Sequence, residues 1–298
     1  MKTLLRYAGG KSKAVKQITP FIKDYEKIVS PFLGGGSLEV YWASDLDKQV
    51  IAYDIFDVLV TLWNVLLNKP KELYDELSNI QPTDEEFARI KECLMCLDKT
   101  QEMLKDWHTD YYKRENIIKL DDTKLAAYYF FNHNCSYGPG YLAWGSSVYL
   151  NDKRWKSMID RVLDFKCDNL KVEQSTFDFS IPKHKQDFLY LDPPYFLDKD
   201  KDNKMHKGMY PMKNIDVHHN GFDHELLRDL LLKHEGDFVM SYNNCETIRE
   251  WYKDFDFYFP EWSYSMSNGE TRIGKNRIEL NNSEIVKKSH EILIVKKS

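Results

Sequence analysis

Four consecutive residues, Asp192-Pro193-Pro194-Tyr195, close the apolar run Phe188-Leu189-Tyr190-Leu191. Such a run bounded by prolines predicts a buried strand that stops abruptly. Proline fixes φ and lacks an N–H, and the residue before it is pushed to an extended conformation. Two in succession make a stiff ledge that holds a carboxylate, a carbonyl and an aromatic face in one group. The group suits a planar ring bearing an exocyclic amine: Asp192 and the Pro193 carbonyl accept its two hydrogens while Tyr195 stacks on the ring. A plain proline turn over a packed tyrosine would use the same residues, so the rest of the chain must supply a second reactant.

A cradle for one lies near the N-terminus. Lys27-Ile28-Val29-Ser30-Pro31-Phe32 predicts a strand running into Leu33-Gly34-Gly35-Gly36-Ser37-Leu38-Glu39, a glycine turn followed by a helix opened at Ser37. A second short strand, Val50-Ile51-Ala52-Tyr53, ends at Asp54, about 20 residues beyond the turn, where a carboxylate can hold both hydroxyls of a ribose. NAD and S-adenosylmethionine both satisfy this pattern, and the unit leaves the two open. The third glycine of the dinucleotide fingerprint is missing, and a methionine cofactor has no pyrophosphate that needs it. Upstream, Tyr7-Ala8-Gly9-Gly10-Lys11-Ser12-Lys13 ends as a P-loop does, but Leu5 stands where that loop requires glycine, which argues against an NTPase. Glycines ahead of a helix can still bring backbone amides and a lysine to a ligand's carboxylate.

The elements that must position these groups alternate as in an α/β protein, with one interruption. A helical pattern follows Lys11 to about Phe21. From Val58 to about Asn169 the alternation gives way to helices: Val58–Leu67, Leu73–Ile80, a segment opened by the capping-box pair Thr83 and Glu86 and running towards Tyr112, and another from Asp121-Asp122. This block reads as an inserted, mainly helical domain, 58–169, between catalytic segments 1–57 and 170–298. It ends in Asn132-His133-Asn134-Cys135-Ser136-Tyr137-Gly138-Pro139-Gly140-Tyr141-Leu142-Ala143-Trp144-Gly145, read as a loop or hairpin. There Asn132 and Asn134 are candidate readers of adenine edges, and Tyr137 and Tyr141 candidate wedges or stacking partners. After the insert come a strand from Leu170 to Phe177, a polar run from Phe196 to Gly221 read as a flap or a solvated loop, a helix over Phe222–His234, a strand over Phe238–Asn243, a helix over Cys245–Tyr252 and a last strand, Glu291–Val295. Cys93 and Cys96 form a CxxC inside a helical pattern without a second pair, and His206, His218, His219 and His224 lack ligand spacing, so no metal is expected.

Composition sets the outer limits. At 298 residues, 42% hydrophobic and 30% charged, the chain can hold a full globular core, with no apolar stretch of membrane-span length and no signal peptide. Five cysteines without regular spacing suggest reduced thiols inside a cell. The net charge of −5 does not announce a nucleic-acid partner. The first 30 residues are nevertheless basic, with Lys2, Arg6, Lys11, Lys13, Lys16, Lys23 and Lys27 against Asp24 and Glu26, and a local basic face can bind phosphates on an acidic protein.

Taken together, the proline tetrad, the aromatic-Gly-Gly-Lys turn, the glycine turn with its spaced acid, and the Ser241-Tyr242-Asn243 strand resemble the Dam-like adenine-specific DNA methyltransferases that use S-adenosylmethionine. The resemblance covers nearly the whole chain, being most specific at the tetrad and weak in the insert. It implies a Rossmann-like methyltransferase sheet with an inserted target-recognition domain. It assigns Tyr7, Lys11, Phe32, Gly34, Gly36, Asp54, Phe177 and Asp192 to the cofactor, and Asp192, Pro193, Pro194 and Tyr195 to catalysis. Relatives carry an acid before the aromatic of the third strand; here that place is Thr176, which leaves Phe177 to flank the adenine. The implied reaction is methylation of the N6 amino group of an adenine flipped out of duplex DNA. The implied setting is inside a prokaryotic cell, with its DNA, or a virus-encoded equivalent, with a cognate restriction endonuclease as a further partner and no membrane. Methylation of a cytosine N4 or an RNA base, and a non-catalytic DNA-binding module, are the alternatives that the residues leave open.

Overall fold

The computed structural model describes residues 2–7, 9–97, 120–137, 140–196, 222–260 and 291–297. The polar run after Phe196 and the end of the segment expected to reach Tyr112 lie outside them. Among the described residues seven strands form a single sheet, in the order β3-β2-β1-β4-β5-β7-β6. They are β1 (Lys27–Ser30), β2 (Gln49–Asp54), β3 (Leu170–Gln174), β4 (Phe188–Leu191), β5 (Phe238–Asn243), β6 (Asp256–Tyr258) and β7 (Glu291–Lys296). The first five run parallel, and β7 lies antiparallel between β5 and β6. Three-residue β6 is too short to announce itself, and sequence patterning did not find it.

Both faces of the sheet are covered, as parallel strands require. Successive residues of one strand enter different cores. Ile28, Tyr190, Val239 and Leu293 pack in one cluster, and Val29, Leu189, Met240 and Ile294 in the other. The second cluster is closed by α8 (Phe177–Lys183), α9 (His224–Lys233) and α10 (Glu246–Trp251), through Ile181, Leu227, Leu231 and Ile248. α9 begins where expected, with Asp223 accepting the Leu226 N–H at 2.8 Å as N-cap.

On the first face α2 (Ser37–Asp45) is joined by the helical block: α3 (Asp57–Asn68), α4 (Pro70–Ser78), α5 (Asp84–Met95), α6 (Asp122–Asn134) and α7 (Asp152–Leu163). The Thr83 hydroxyl accepts the Glu86 N–H at 3.1 Å, the cap expected for α5. The helix expected after Lys11 is instead a 3₁₀ turn (Lys11–Lys13), one α-turn, α1 (Val15–Ile18), and a second 3₁₀ turn carrying Pro20. Proline has no N–H to continue the ladder. α3 packs directly on β2 and β3, and α6 on α3, so that Trp63, Tyr129 and Phe131 share one apolar cluster with Val50, Ala52 and Val172. The block is thus docked on the sheet through α3. No helix among the described residues is long and apolar enough to cross a membrane.

Candidate active site at the switch point of the sheet

Strand order reverses at β1, which has β2 on one side and β4 on the other. Ligands of open α/β sheets bind outside the carboxyl ends of strands at such a point. Here the Pro31–Ser37 turn leaves β1 and the tetrad leaves β4, in registered neighbours (Ile28 opposite Phe188, Val29 opposite Leu189). A cavity of about 390 Å³ opens between them. Tyr7, Lys11, Phe32, Gly34, Gly36, Asp54, Phe177, Asp192, Pro193, Pro194 and Tyr195, which sequence reasoning drew from five separate segments, all line it.

The turn after β1 is shaped by what presses on it. A Cβ on Gly35 would lie 2.4 Å from Tyr7 Cβ, and one on Gly36 would lie 2.7 Å from the Trp63 ring. Gly36 also caps α2 at φ 60°, the left-handed region that glycine enters without strain, whereas the sequence had suggested Ser37 as the opening residue. The Tyr7 ring is held from behind by the His133 ring, stacked at 5.3 Å. Burial pushes His133 down to about 4, so it is neutral at physiological pH. Asp54 braces the turn: its two carboxylate oxygens accept the Gly34 and Phe56 N–H groups, each at 2.9 Å. The braced carboxylate also lines the cavity.

The ledge after β4 is tied down by charge. Lys11, 5% exposed, places its Nζ 2.8 Å from Asp192 Oδ1, 3.6 Å from Glu291 and 3.0 Å from the Tyr195 hydroxyl. The Tyr195 hydroxyl in turn donates to Glu291. Burial pushes Asp192 up to about 6; Lys11 pulls against that rise and the Glu291 charge adds to it. Asn243, at the end of β5, clamps the chain beyond the ledge, accepting the Phe196 N–H at 2.8 Å and donating to its carbonyl at 3.0 Å. Glu39, from α2, completes the floor: it is buried, accepts the Ser30 hydroxyl at 2.7 Å, and is pushed by burial up to about 7. Glu39 and Glu291 were not singled out in the sequence. An acid inside an apolar helix pattern and one opening a strand carry no motif.

In the same cavity lining the Phe177 ring lies 5.8 Å from Phe32 and 4.9 Å from Phe222, and Asp178 and Asp223 also belong to it. This donor set fits the expected S-adenosylmethionine: a cluster of aromatic rings at the cavity wall for a purine to lie against, an acid braced at ribose-binding spacing, and a lining whose carboxylates outnumber its lysine, suited to a cationic ligand. A volume of about 390 Å³ lies within the usual range for small-molecule sites.

The expected base readers are placed differently. Asn132, His133 and Asn134 belong to α6 rather than to the hairpin, which is joined by a Ser136–Gly145 bridge. Asn132 is fully buried and accepts the Leu142 N–H at 2.8 Å, and Asn134 accepts the Arg6 N–H at 2.9 Å. Tyr141 is buried among Phe56 and Tyr129. These three side chains are turned inward and cannot reach a base edge. The amide oxygens of Asn132 and Asn134 are taken by backbone N–H groups, and the Nδ2 atoms of both asparagines are buried with them. Tyr137 is 61% exposed, and Trp144, not singled out earlier, is 80% exposed with Lys91 Nζ 4.9 Å from its ring centre.

Comparison with known proteins agrees with this architecture. The chain is 25% identical over 296 residues to the Type II methyltransferase M.FokI of Planomicrobium okeanokoites, an alignment covering 93% of this chain and 42% of that protein. The chain therefore spans about two fifths of the length of this relative. The model of the D12 class N6 adenine-specific DNA methyltransferases matches residues 7–266, which take in the glycine turn, the braced acid and the proline ledge. The chain belongs to the D12 class N6 adenine-specific DNA methyltransferase family.

Proposed function

We propose that the protein moves a methyl group from S-adenosylmethionine to the exocyclic N6 amino group of an adenine turned out of duplex DNA. The observation that carries this reading is the meeting of the glycine turn and the proline ledge around one cavity at neighbouring strand ends. Phe32 and Phe177 would flank the donor's adenine, Asp54 would hold its ribose, and Asp178 stands where the missing acid at Thr176 could be replaced. The bound donor supplies a methyl group on a sulfonium, a leaving group that becomes neutral.

The amine is a poor nucleophile because its lone pair is delocalised into the ring. Asp192 and the Pro193 carbonyl, accepting its two hydrogens, favour a pyramidal nitrogen and aim the lone pair; alignment and electrostatics then lower the barrier. Asp192 must be ionised to do this, and with its carboxyl at about 6 it is so at neutral pH. The Tyr195 ring, anchored through its hydroxyl, offers a flipped base a stacking face in place of the one it lost. We assign target recognition to the helical block 58–169, with Tyr137 and Trp144 as the exposed aromatics on its hairpin.

The test is transfer of a tritiated methyl group to a random duplex library, followed by mapping of the modified bases. N6-methyladenine at a defined sequence is expected from wild type, and none from Asp192→Ala with its fold intact. Methylation confined to cytosine, no methylation of the duplex, or wild-type turnover by the alanine variant would overturn the reading.

A further inference from the structure

Glu291 opens β7, far in sequence from every motif of the site, yet its carboxylate ends beneath the ledge. It is 1% exposed, accepts hydrogen bonds from the Tyr195 hydroxyl and from Ser241 Oγ (3.2 Å), and stands 3.6 Å from Lys11 Nζ. A buried carboxylate costs stability unless its charge is put to use. The charge therefore asks for a use.

We propose that Glu291 is a positioning residue for methyl transfer: with Asp192 it holds Lys11 between two carboxylates, orients the Tyr195 ring, and leaves the ledge with an excess negative charge. The inference rests on the methyl-transfer reading above. As the N–C bond forms from the nitrogen lone pair, the donor's S–CH3 bond breaks and its electron pair stays on the sulfur, which becomes a neutral thioether. The amine becomes cationic, then sheds one N–H proton to Asp192 and from there to water. A surplus anion in a water-poor site favours that developing cation and is already in place before it forms. Lys11 alone against Asp192 would leave the site neutral and would hold Asp192 ionised without lending it basicity. The groups facing Asp192 are Lys11 from the N-terminal turn, Glu291 from β7, Glu39 from α2 and the tethered Tyr195 hydroxyl. Of these, Glu291 is the carboxylate bonded to the tetrad itself.

The experiment compares Glu291→Gln and Glu291→Asp with wild type in steady-state methylation of DNA between pH 5 and 9, with donor binding by calorimetry and thermal unfolding on the same preparations. Gln removes the charge and keeps one acceptor oxygen, for the Tyr195 hydroxyl; its NH2 group can donate to Ser241 Oγ, which then accepts. We expect kcat to fall at least about tenfold, with KM for DNA and donor affinity within about twofold. The acid limb of the kcat profile should move to lower pH, since one carboxylate no longer opposes ionisation of Asp192. Asp, which keeps the charge, should return both turnover and limb close to wild type, and it decides the matter should Gln fail to fold. A Gln variant with wild-type turnover or an unmoved limb, or an Asp variant whose kcat is reduced tenfold or more, overturns the inference alone. A wild-type enzyme that methylates no DNA overturns the functional reading and this inference with it.

Discussion

Replacing Lys11 with methionine keeps an unbranched apolar stem but removes the ammonium that stands 2.8 Å from Asp192 and 3.6 Å from Glu291. Lys11 and Glu291 are 5% and 1% exposed, and Asp192 opens to the cavity at 23%, so water replaces little of the lost counter-charge. Removing one partner of a buried ionic group typically costs about 3–5 kcal/mol, because a charge stays behind unpaired. At about 2 °C per kcal/mol for a chain of this size, the melting temperature should fall by roughly 6–10 °C near pH 8. The pH dependence provides the sharper check. Lys11 pulls Asp192 down, so without it the carboxyl titrates above its wild-type value of about 6. A raised carboxyl destabilises the folded state above the unfolded value, near 4, and does so fully only above the folded one. Below about 6 both proteins have Asp192 protonated and the difference fades; through the window above 6 wild type ionises first and the variant falls behind.

The assay is calorimetric unfolding of both proteins at pH 5 and pH 8. A gap that widens with rising pH is expected, together with an acid limb of activity displaced upward, opposite to the shift expected for Glu291→Gln. A gap below about 2 °C at pH 8, or one of equal size at both pH values, would refute the claim that Lys11 acts as a buried counter-ion.

Three further substitutions test other parts of the site. Gly35→Ala places a Cβ 2.4 Å from Tyr7 Cβ, both anchored close to backbone, so the turn must shift; a loss of about 1–3 kcal/mol in stability and weaker donor binding by calorimetry are expected. Asp54→Ala removes the acceptor of two backbone N–H groups and the proposed ribose ligand, and donor affinity should fall at least about tenfold, by about 1.5–3 kcal/mol for a charged hydrogen bond, while duplex DNA binding without donor is retained. Trp144→Ala, at an 80% exposed position, should leave the melting temperature within about 1–2 °C and weaken DNA binding in a fluorescence-anisotropy titration. Unchanged DNA affinity there would remove the hairpin from the interface.

Local patterning sufficed for much of this protein. The tetrad at the end of β4, the glycine turn after β1 with Asp54 at its spacing, the Thr83 and Asp223 caps and the helical interruption are written in neighbouring residues, because proline, glycine, capping side chains and apolar periodicity act over a few positions. Tertiary structure decided what meets what. It set β4 beside β1, slid antiparallel β7 between β5 and β6, and so brought Tyr195 to Glu291 across 96 residues and to Lys11 across 184. It also turned Asn132, Asn134 and Tyr141 inward and left Trp144 outside. Side-chain type records what a residue can bond or bury; it does not record which strand will be its neighbour, and in this molecule that neighbour determines whether a carboxylate is solvated, paired or poised.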